Sequence, residues 1–253
     1  MAKRALVLRG GTMRGAFLVG SMTKIHELLG PNYFDAIFAT SVGVFEQAYF
    51  AVGRPDIPES IWRNRVHGNQ LINFSNLLFG KPLLDLDYLI KLFQSKEYLL
   101  NIDLLSKSQT RLSTFITNYK TKTPEIMDLR HGPVFDIMRA TSAIPFFYPK
   151  HILINGERYV DSWVLKEEDF QKFIDENLKK YDEVLIVSAY SYDKMLAGLK
   201  NVIKPSKTFL WHALDTNRYR LIKTIEQGKL DTEKYILENN KEVSPVRGRL
   251  VCN

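Results

Sequence analysis

The first 41 residues contain the pattern that most restricts how this chain can fold. The apolar run ALVL at 5–8 leads into a glycine pair at 10–11, and the segment up to the helix stop at Gly30-Pro31 has the apolar spacing of an amphipathic helix. The run YFDAIFA then predicts a second buried strand, which ends just before Ser41. Strands joined by one helix normally lie parallel through a right-handed crossover. We therefore predict an α/β fold built on a mostly parallel central sheet.

The rest of the chain continues this alternation of helix and strand signals. Strands are predicted for TRLSTFITN at 110–118 and DEVLIVSAY at 182–190, and a hairpin that turns at its Asn-Gly pair is predicted for HILINGERYV. A short helix is predicted to end near Pro145, and EEDFQKFIDENLKKY at 167–181 predicts a longer amphipathic helix.

Neither an internal repeat nor a linker divides the sequence, so residues 1–253 are predicted to form a single domain. Residues 5–165 form the core that carries the motifs described below. Within it, residues 54–109 contain the proline-marked GRPDIPES and the helix-like DYLIKLFQ, and we interpret this region as an insertion that could cover a site. Residues 194–253 are predicted to be a mostly helical C-terminal part.

The overall composition excludes several classes of protein. Cys252 is the only cysteine, so no intramolecular disulfide can form, and the five histidines are too scattered for a zinc site. The net charge of +7 suits anionic membranes or nucleic acid, but the basic residues match no nucleic-acid module. The first apolar run stops at Arg9, too early for a signal peptide, and no run could cross a bilayer. We expect a cytoplasmic protein that binds no nucleic acid.

The segment RGGTMRG at 9–15 lies between the first predicted strand and the first predicted helix. Glycines allow a sharp turn that points backbone N–H groups into one space, and the helix N-terminus adds a partial positive charge. Such a turn can bind a phosphate or a developing oxyanion, or it can simply connect two elements. Thr12 breaks the dinucleotide fingerprint and no G-K-[ST] follows, which weighs against a nucleotide.

Ser41 lies in ATSVG, where Ala39 and Gly43 leave the pattern one residue short of the G-x-S-x-G nucleophile elbow. It is either a nucleophile held on a sharp strand-to-helix turn or an ordinary loop serine. Neighbouring parallel strands would bring this turn and the glycine turn together at their carboxyl ends, where ligand sites of α/β sheets lie. The serine could then face the N–H donors that acyl transfer requires.

Two residue types could act as the base for this serine. Every histidine lies in a context that favours a structural or surface role: His26, His67, His131, His151 and His212. We expect His212, which follows Trp211, to be the most buried of them. Asp161, in ERYVDSW at the end of the predicted hairpin, could accept the serine proton, or it could cap a turn.

Together these motifs resemble those of the patatin-like phospholipases, a family that uses a Ser-Asp dyad. The family's marks are a G-G-G-x-[RK]-G oxyanion turn, a G-x-S-x-G elbow and a later D-G-[GA]. Here GGTMRG at 10–15, ATSVG at 39–43 and DSW at 161–163 follow in the same order, and RATSAIPFFYP is similar to the family's approach to its aspartate. The resemblance implies a single patatin-like domain with helices on both faces of the sheet and the elbow after the second strand.

The resemblance also implies the chemistry. Ser41 would attack an ester carbonyl of a phospholipid or other acyl lipid, and Asp161 would take its proton. N–H groups around Gly11, Thr12 and Met13 would hold the oxyanion, and Arg14 would brace the turn or meet a lipid phosphate. No metal and no cofactor are expected, and contact with a membrane surface would be transient. The implied glycine turn comprises Gly10, Gly11, Thr12, Met13, Arg14 and Gly15.

Four positions depart from the family pattern. Thr12 replaces a glycine and fits if its φ stays negative, and Ala39 adds one methyl group to the elbow. Ser162 and Trp163 replace two small residues of the family's aspartate loop. If those small residues normally supply positive φ, the loop here must have a different conformation. Trp163 could narrow the acyl pocket, or it could fill a space left by another change. The alternative function is therefore a catalytically impaired patatin-like module that binds lipid or protein. A nucleotide-binding α/β protein is a third hypothesis.

Overall fold

A mixed, mostly parallel sheet lies at the centre of the computed structural model, which describes residues 2–192, 196 and 201–239. In these residues the strands are β1 (Arg4–Arg9), β2 (Ala36–Thr40), β3 (Arg111–Asn118), β4 (Pro124–Asp128), β5 (Ile152–Ile154), β6 (Glu157–Val160), β7 (Glu183–Ser188) and β8 (Val202–Ile203). The helices are α1 (Ala16–Leu29), α2 (Gly43–Ala51), α3 (Asp56–Asn64), α4 (Leu86–Gln94), α5 (Ile102–Ser106), α6 (Val134–Ser142), α7 (Glu167–Leu178) and α8 (Arg218–Asn239). Short 3-10 helices cover Thr12–Gly15, Phe74–Phe79 and Ser162–Val164.

Strand β1 lies between β2 and β7 and is parallel to both. The strand order is β5-β6-β3-β2-β1-β7-β8, with β4 also paired to β3. The β2–β3 and β7–β8 pairs are parallel, whereas β4, β5 and β6 make antiparallel pairs. The predicted α/β class and mostly parallel sheet are thus confirmed. Because Arg9 is in register with Thr40, the glycine turn and Ser41 leave the sheet side by side.

Helices cover both faces of the sheet, as predicted. Along β1, Val7 joins a core cluster with Phe170 of α7, whereas Leu6 and Leu8 join the larger cluster that contains α1, α2 and α6. This is the period-two alternation of a strand buried on both sides. Full burial of one large apolar side chain stabilises the folded state by about 1.5–3 kcal/mol. The central strands carry several such side chains, and they therefore form a rigid support for the turns at their ends.

Strands β5 and β6 form the predicted hairpin. It turns at Asn155 and Gly156, whose φ angles of 52° and 84° are the positive values that a two-residue type I′ turn requires. Strand β4 was not predicted. Its sequence, PEIMD, begins with proline, carries two acidic residues and is only half-buried, so it has little intrinsic strand signal and depends on pairing with β3.

Residues 194–253 were predicted to be mostly helical. Part of this region lies outside the described residues, namely 194–195, 197–200 and 240–253. Residues 201–217 contain β8 and irregular structure, and α8 follows. Helix α8 packs closely along α1 because Gly20 and Gly228 have no side chains: a Cβ on Gly20 would lie 1.9 Å from the carbonyl oxygen of Ile225. Within the described part of the chain, no helix combines the length and apolarity needed to span a bilayer.

Candidate active site

Ser41 lies on the sharp turn between β2 and α2. Its φ is 50°, a left-handed conformation that is strained for a serine and persists only when the surroundings enforce it. The Ser41 N–H donates a 2.9 Å hydrogen bond to Thr141 Oγ1, and that hydroxyl donates to the carbonyl of Phe115 at 2.7 Å. The serine is therefore held in the geometry of an elbow, with its side chain partly exposed. Sequence reasoning did not single out Thr141, because a threonine in a helix carries no local sign of such a role.

The glycine turn sits directly against this elbow. The Gly10 N–H donates to Thr40 Oγ1 at 3.1 Å, and a Cβ on Gly10 would lie 2.5 Å from the Thr40 carbonyl oxygen and 3.0 Å from Ser41 Cβ. A Cβ on Gly15 would lie 2.7 Å from a methyl group of Val42. These distances explain the glycines at both positions, since any side chain would push the two turns apart.

Two further elbow positions fit tightly between the strands. A Cβ on Gly43 would lie 3.0 Å from Leu8 Cβ, so the start of α2 is close to β1. Ala39 is fully buried within β2, in register with Leu8 and Thr114. The extra methyl group of Ala39 is therefore accommodated inside the sheet.

Thr12 does not meet the condition of a negative φ under which it would fit without strain. Its φ is 51°, because the chain must reverse between the extended Gly11 (φ −167°) and the 3-10 helix that begins at Thr12. A β-branched residue in this conformation carries strain of about 1–2 kcal/mol. A glycine would adopt this turn geometry freely, and the close packing of Gly10 on the elbow keeps the chain in it.

The expected set of N–H donors also needs a correction. The Met13 N–H donates to the carbonyl of Ala213 at 3.0 Å, so it is already engaged and is not free to meet an oxyanion. The N–H groups of Gly11 and Thr12 make no hydrogen bond to any other residue that the structure describes. Two donors, rather than three, therefore remain beside Ser41.

Arg14 packs against an aromatic ring beside the glycine turn. Its guanidinium lies over the ring of Tyr190, 5.2 Å from the ring centroid, and Gly11 packs against the same tyrosine. Of the two roles expected for Arg14, this contact supports bracing.

Asp161 is brought to Ser41 from the end of β6. The side chain is 3% exposed, and its Oδ1 accepts a 2.7 Å hydrogen bond from the Trp163 N–H. Burial raises the pKa of Asp161 to about 6, while the Trp163 N–H and the nearby Ser41 hydroxyl favour the carboxylate and lower it. Asp161 Oδ2 has no hydrogen-bond partner of normal geometry among the described residues, so the contact with Ser41 is looser than a full hydrogen bond.

The loop after Asp161 tolerates the loss of the family's small residues. Residues Ser162–Val164 form a 3-10 turn, and neither Ser162 nor Trp163 has a positive φ. The Trp163 side chain is 60% exposed and meets Phe146 edge to face, with ring centroids 5.6 Å apart. It does not line the cavity beside Ser41, so neither expected role for Trp163, narrowing a pocket or filling a space, applies.

A narrow apolar cavity adjoins Ser41. Its wall includes Thr12 and Met13 of the glycine turn and Val42 of the elbow. Ser142, which sequence reasoning also missed, lines the cavity with a buried hydroxyl that has no hydrogen-bond partner among the described residues. Residues of the 54–109 region supply most of the wall: Pro58, Ile61, Trp62, Val66, Leu71, Leu84, Leu86, Leu89 and Phe93. Such a wall suits an alkyl chain.

The histidines lie elsewhere. His212 is exposed rather than buried, which corrects the expectation; its Nδ1 accepts from the Leu214 N–H in a surface turn. His26 packs edge-on against Phe50, and His151 lies against the ring of Tyr119. In the described residues, no cluster of His, Cys, Asp and Glu is placed to hold a metal ion.

Comparison with known proteins defines the class of this protein. The family model described as "Patatin-like phospholipase" matches residues 6–165, more than half of the chain. This protein therefore belongs to the patatin-like phospholipase family, and the resemblance drawn from its motifs is confirmed.

Individual relatives are distant. The chain is similar to the "Uncharacterized protein YjjU" of Escherichia coli (strain K12), with 25% identity over 170 residues; the match spans 63% of this chain but only 45% of that protein. The fold is similar to that of VipD from Legionella pneumophila, with a TM-score of 0.55 and 11% identity over 94% of this chain and 67% of VipD. It is also similar to the type III effector ExoU of Pseudomonas aeruginosa, with a TM-score of 0.50 and 12% identity over 96% and 54% of the two chains. At these identities the two structures support the fold alone.

Proposed function

We propose that this protein is a lipid acyl hydrolase, of the phospholipase A or esterase type, that cleaves ester bonds with a Ser41–Asp161 dyad. The observation that carries the proposal is the buried Asp161 carboxyl in contact with the hydroxyl of Ser41, beside an apolar cavity. A carboxyl with a pKa of about 6 is ionised at neutral pH and still basic enough to accept a proton.

In the proposed reaction Asp161 takes the proton of the Ser41 hydroxyl while Oγ attacks the ester carbonyl. The carbonyl oxygen gains negative charge, and the N–H groups of Gly11 and Thr12 are the donors available to it. Asp161 then gives its proton to the departing alcohol, which leaves an acyl-enzyme on Ser41. Asp161 next takes a proton from water, and the resulting nucleophile attacks the acyl carbonyl. Asp161 then returns this proton to Ser41 Oγ as the bond to the acyl group breaks, and the fatty acid departs. The acyl chain would occupy the apolar cavity.

The second candidate is a catalytically impaired module that binds a lipid or a protein. It is favoured by one observation, the loose contact between Ser41 and Asp161, which leaves Asp161 Oδ2 without a regular hydrogen bond. A dyad in this state needs a small rearrangement before the proton can transfer. Contacts of this kind often tighten only when a substrate is bound, so the observation supports the second candidate without excluding the first.

A comparison of variants separates the two. Wild type, Ser41→Ala and Asp161→Asn are incubated with a short-chain p-nitrophenyl ester and with a fluorophosphonate probe, and the exposed Asp103→Asn serves as a matched control. We expect hydrolysis to fall by at least about a thousandfold in both dyad variants, labelling to disappear in Ser41→Ala, and the control to behave as wild type. Folded wild type that neither hydrolyses nor reacts would favour the binding module. Protection from unfolding by ATP or NAD without hydrolysis would favour the nucleotide hypothesis.

A further inference from the structure

Six large apolar side chains are exposed on three segments next to the candidate active site, and we call them the apolar rim. Their exposed fractions range from 54% to 83%: Phe74, Leu77, Leu78, Phe79, Phe146 and Trp163. Exposed apolar residues that are scattered singly are normal on a protein surface, but a contiguous group marks an interaction site.

Two contacts link the parts of the chain that carry the rim. The N–H of buried Leu84, five residues after Phe79, donates a 3.0 Å hydrogen bond to the carbonyl of Phe147. The ring of the adjacent Phe146 in turn meets the ring of Trp163. A hydrogen bond thus links the chain after Phe79 to Phe147, and a ring contact links Phe146 to Trp163.

The rim residues are close in sequence to residues that line the apolar cavity or form the candidate site. Leu71 and Leu84 line the cavity and enclose the segment that bears Phe74–Phe79. Ile144 also lines the cavity, two residues before Phe146, and Trp163 follows two residues after Asp161. The rim residues thus lie within a few residues of the cavity wall or of Asp161 along the chain.

The charged residues inside the three rim segments are all lysines, and Glu167, Glu168 and Asp169 follow the last of them directly. The segments read FSNLLFGK at 74–81, IPFFYPK at 144–150 and SWVLK at 162–166; each ends in an exposed lysine and none contains an acidic residue. Lys150 reaches Asp87 at 3.4 Å, but this pair is exposed and therefore weak. Aromatic and leucine side chains followed by lysine suit the boundary of an anionic bilayer, where apolar groups enter the lipid and ammonium groups meet the headgroups. The net charge of +7 acts in the same direction.

We propose that the apolar rim docks on the surface of an anionic lipid bilayer and holds the mouth of the cavity against it. The inference rests on the proposed function, because a lipid hydrolase must receive acyl chains that are insoluble in water. A chain that passes from the bilayer across the rim into the cavity would stay in apolar contact throughout.

The test measures co-flotation with vesicles of phosphatidylcholine, alone or mixed with phosphatidylserine. The rim variant is Leu77→Ser/Leu78→Ser, and the matched control is Leu230→Ser/Leu237→Ser on α8, where the two leucines are 61% and 63% exposed. We expect wild type and the control to bind the anionic vesicles, more weakly at high salt, and the rim variant to lose at least about tenfold in partitioning. Wild type that does not bind, or a rim variant that binds as well as the control, overturns the proposal.

Hydrolysis of a water-soluble short-chain ester separates this proposal from the dyad. We expect the rim variant to hydrolyse that ester at the wild-type rate. Vesicle binding through the rim without ester hydrolysis would refute the dyad and support the docking surface. Ester hydrolysis without vesicle binding would support the dyad and refute the docking surface. Dimers that depend on Leu77 and Leu78, in a protein that ignores vesicles, would assign the rim to a second copy of the chain and overturn the proposal.

Discussion

The backbone N–H of Ser41 donates a 2.9 Å hydrogen bond to the hydroxyl of Thr141, which lies 100 residues further along the chain. The same hydroxyl donates to Phe115 in β3, so one buried side chain connects the elbow, the end of α6 and the sheet. A left-handed serine is sustained by constraints of this kind. The elbow thus depends on a residue outside its own motif.

Replacement of Thr141 by valine is expected to weaken both stability and activity. The variant keeps the shape of the side chain but leaves the buried N–H of Ser41 and the carbonyl of Phe115 without their partner, which costs about 1–3 kcal/mol. We expect kcat for a soluble ester to fall about tenfold or more, with KM little changed, because the serine loses its orientation. Thr141→Ser keeps the hydroxyl and should restore both properties; equal loss in the two variants would contradict this role.

Gly10→Ala is expected to disturb the site directly. The new Cβ would lie 2.5 Å from the Thr40 carbonyl oxygen, and a backbone atom cannot move aside as a side chain can. We therefore expect the free energy of unfolding to fall by about 2–3 kcal/mol and hydrolysis to be lost. Gly132→Ala is the control, since its Cβ would meet only the flexible end of Ile137, also at 2.5 Å. Chemical denaturation of both variants provides the measurement, and a smaller effect at position 10 than at position 132 would refute the argument.

Thr12→Gly is expected to stabilise the protein. Glycine adopts the observed φ of 51° without strain, so a gain of about 1 kcal/mol is expected relative to wild type, while Thr12→Ala keeps its Cβ and should gain less. Asn155→Gly tests the same change at φ 52° in the hairpin turn, where asparagine is already tolerated, and should have little effect. Thermal unfolding of the three variants checks this order of stabilities. A Thr12→Gly variant less stable than wild type would show that contacts of the threonine side chain stabilise the fold by more than its backbone strain destabilises it.

The pH dependence of hydrolysis is expected to follow Asp161. The base must be ionised, so kcat/KM should rise with pH to a plateau with a midpoint near the pKa of about 6. A pH–rate profile with a non-ionising ester gives the midpoint, and a profile without a change near pH 6 would argue against Asp161 as the base.

The free energy of unfolding should also depend on Asp161, but it should decrease as the pH rises. The native pKa of Asp161, about 6, lies above the ordinary value of 3.8, so the native state binds the proton more tightly than the unfolded chain does. The resulting stabilisation is complete below pH 3.8 and is lost as the pH rises through 6, by roughly 3 kcal/mol. Asp161→Asn should therefore be inactive and lack this decline. Denaturation at pH 4.5 and pH 7 tests this, and curves for wild type and variant that stay parallel would contradict it.

Ionisation of Glu46 should also lower the free energy of unfolding as the pH rises, over a wider pH range than that of Asp161. This carboxyl is buried in α2, where Oε1 accepts a 3.1 Å hydrogen bond from Trp62 Nε1 and Oε2 has no partner among the described residues. Burial raises the pKa of Glu46 to about 8 despite that hydrogen bond, so stability should fall between pH 4.5 and 8 by up to roughly 5 kcal/mol. Glu46→Gln should remove this fall, and an unchanged slope in the variant would show that the native carboxyl is already ionised at neutral pH.

Much of the fold and part of the candidate site could be predicted from local patterns. The apolar runs and glycines of the first 41 residues indicated β1, α1, β2 and the elbow, and the Asn-Gly pair indicated the hairpin that ends at Asp161. Strand β4 was missed because its few residues have little intrinsic preference, and His212 was wrongly expected to be buried because an adjacent tryptophan does not determine which side chains face the core.

By itself the sequence determined the α/β class, the order of the motifs and their membership of the patatin-like family, because hydrophobic periodicity and glycine chemistry act over a few neighbouring residues. Only the tertiary structure decided that Thr141 fixes Ser41, that Ala213 engages the Met13 N–H, that Thr12 is left-handed and that Trp163 faces outward. Each of these depends on contacts between segments that are distant in sequence, and such contacts are selected by packing and hydrogen bonding in the folded chain.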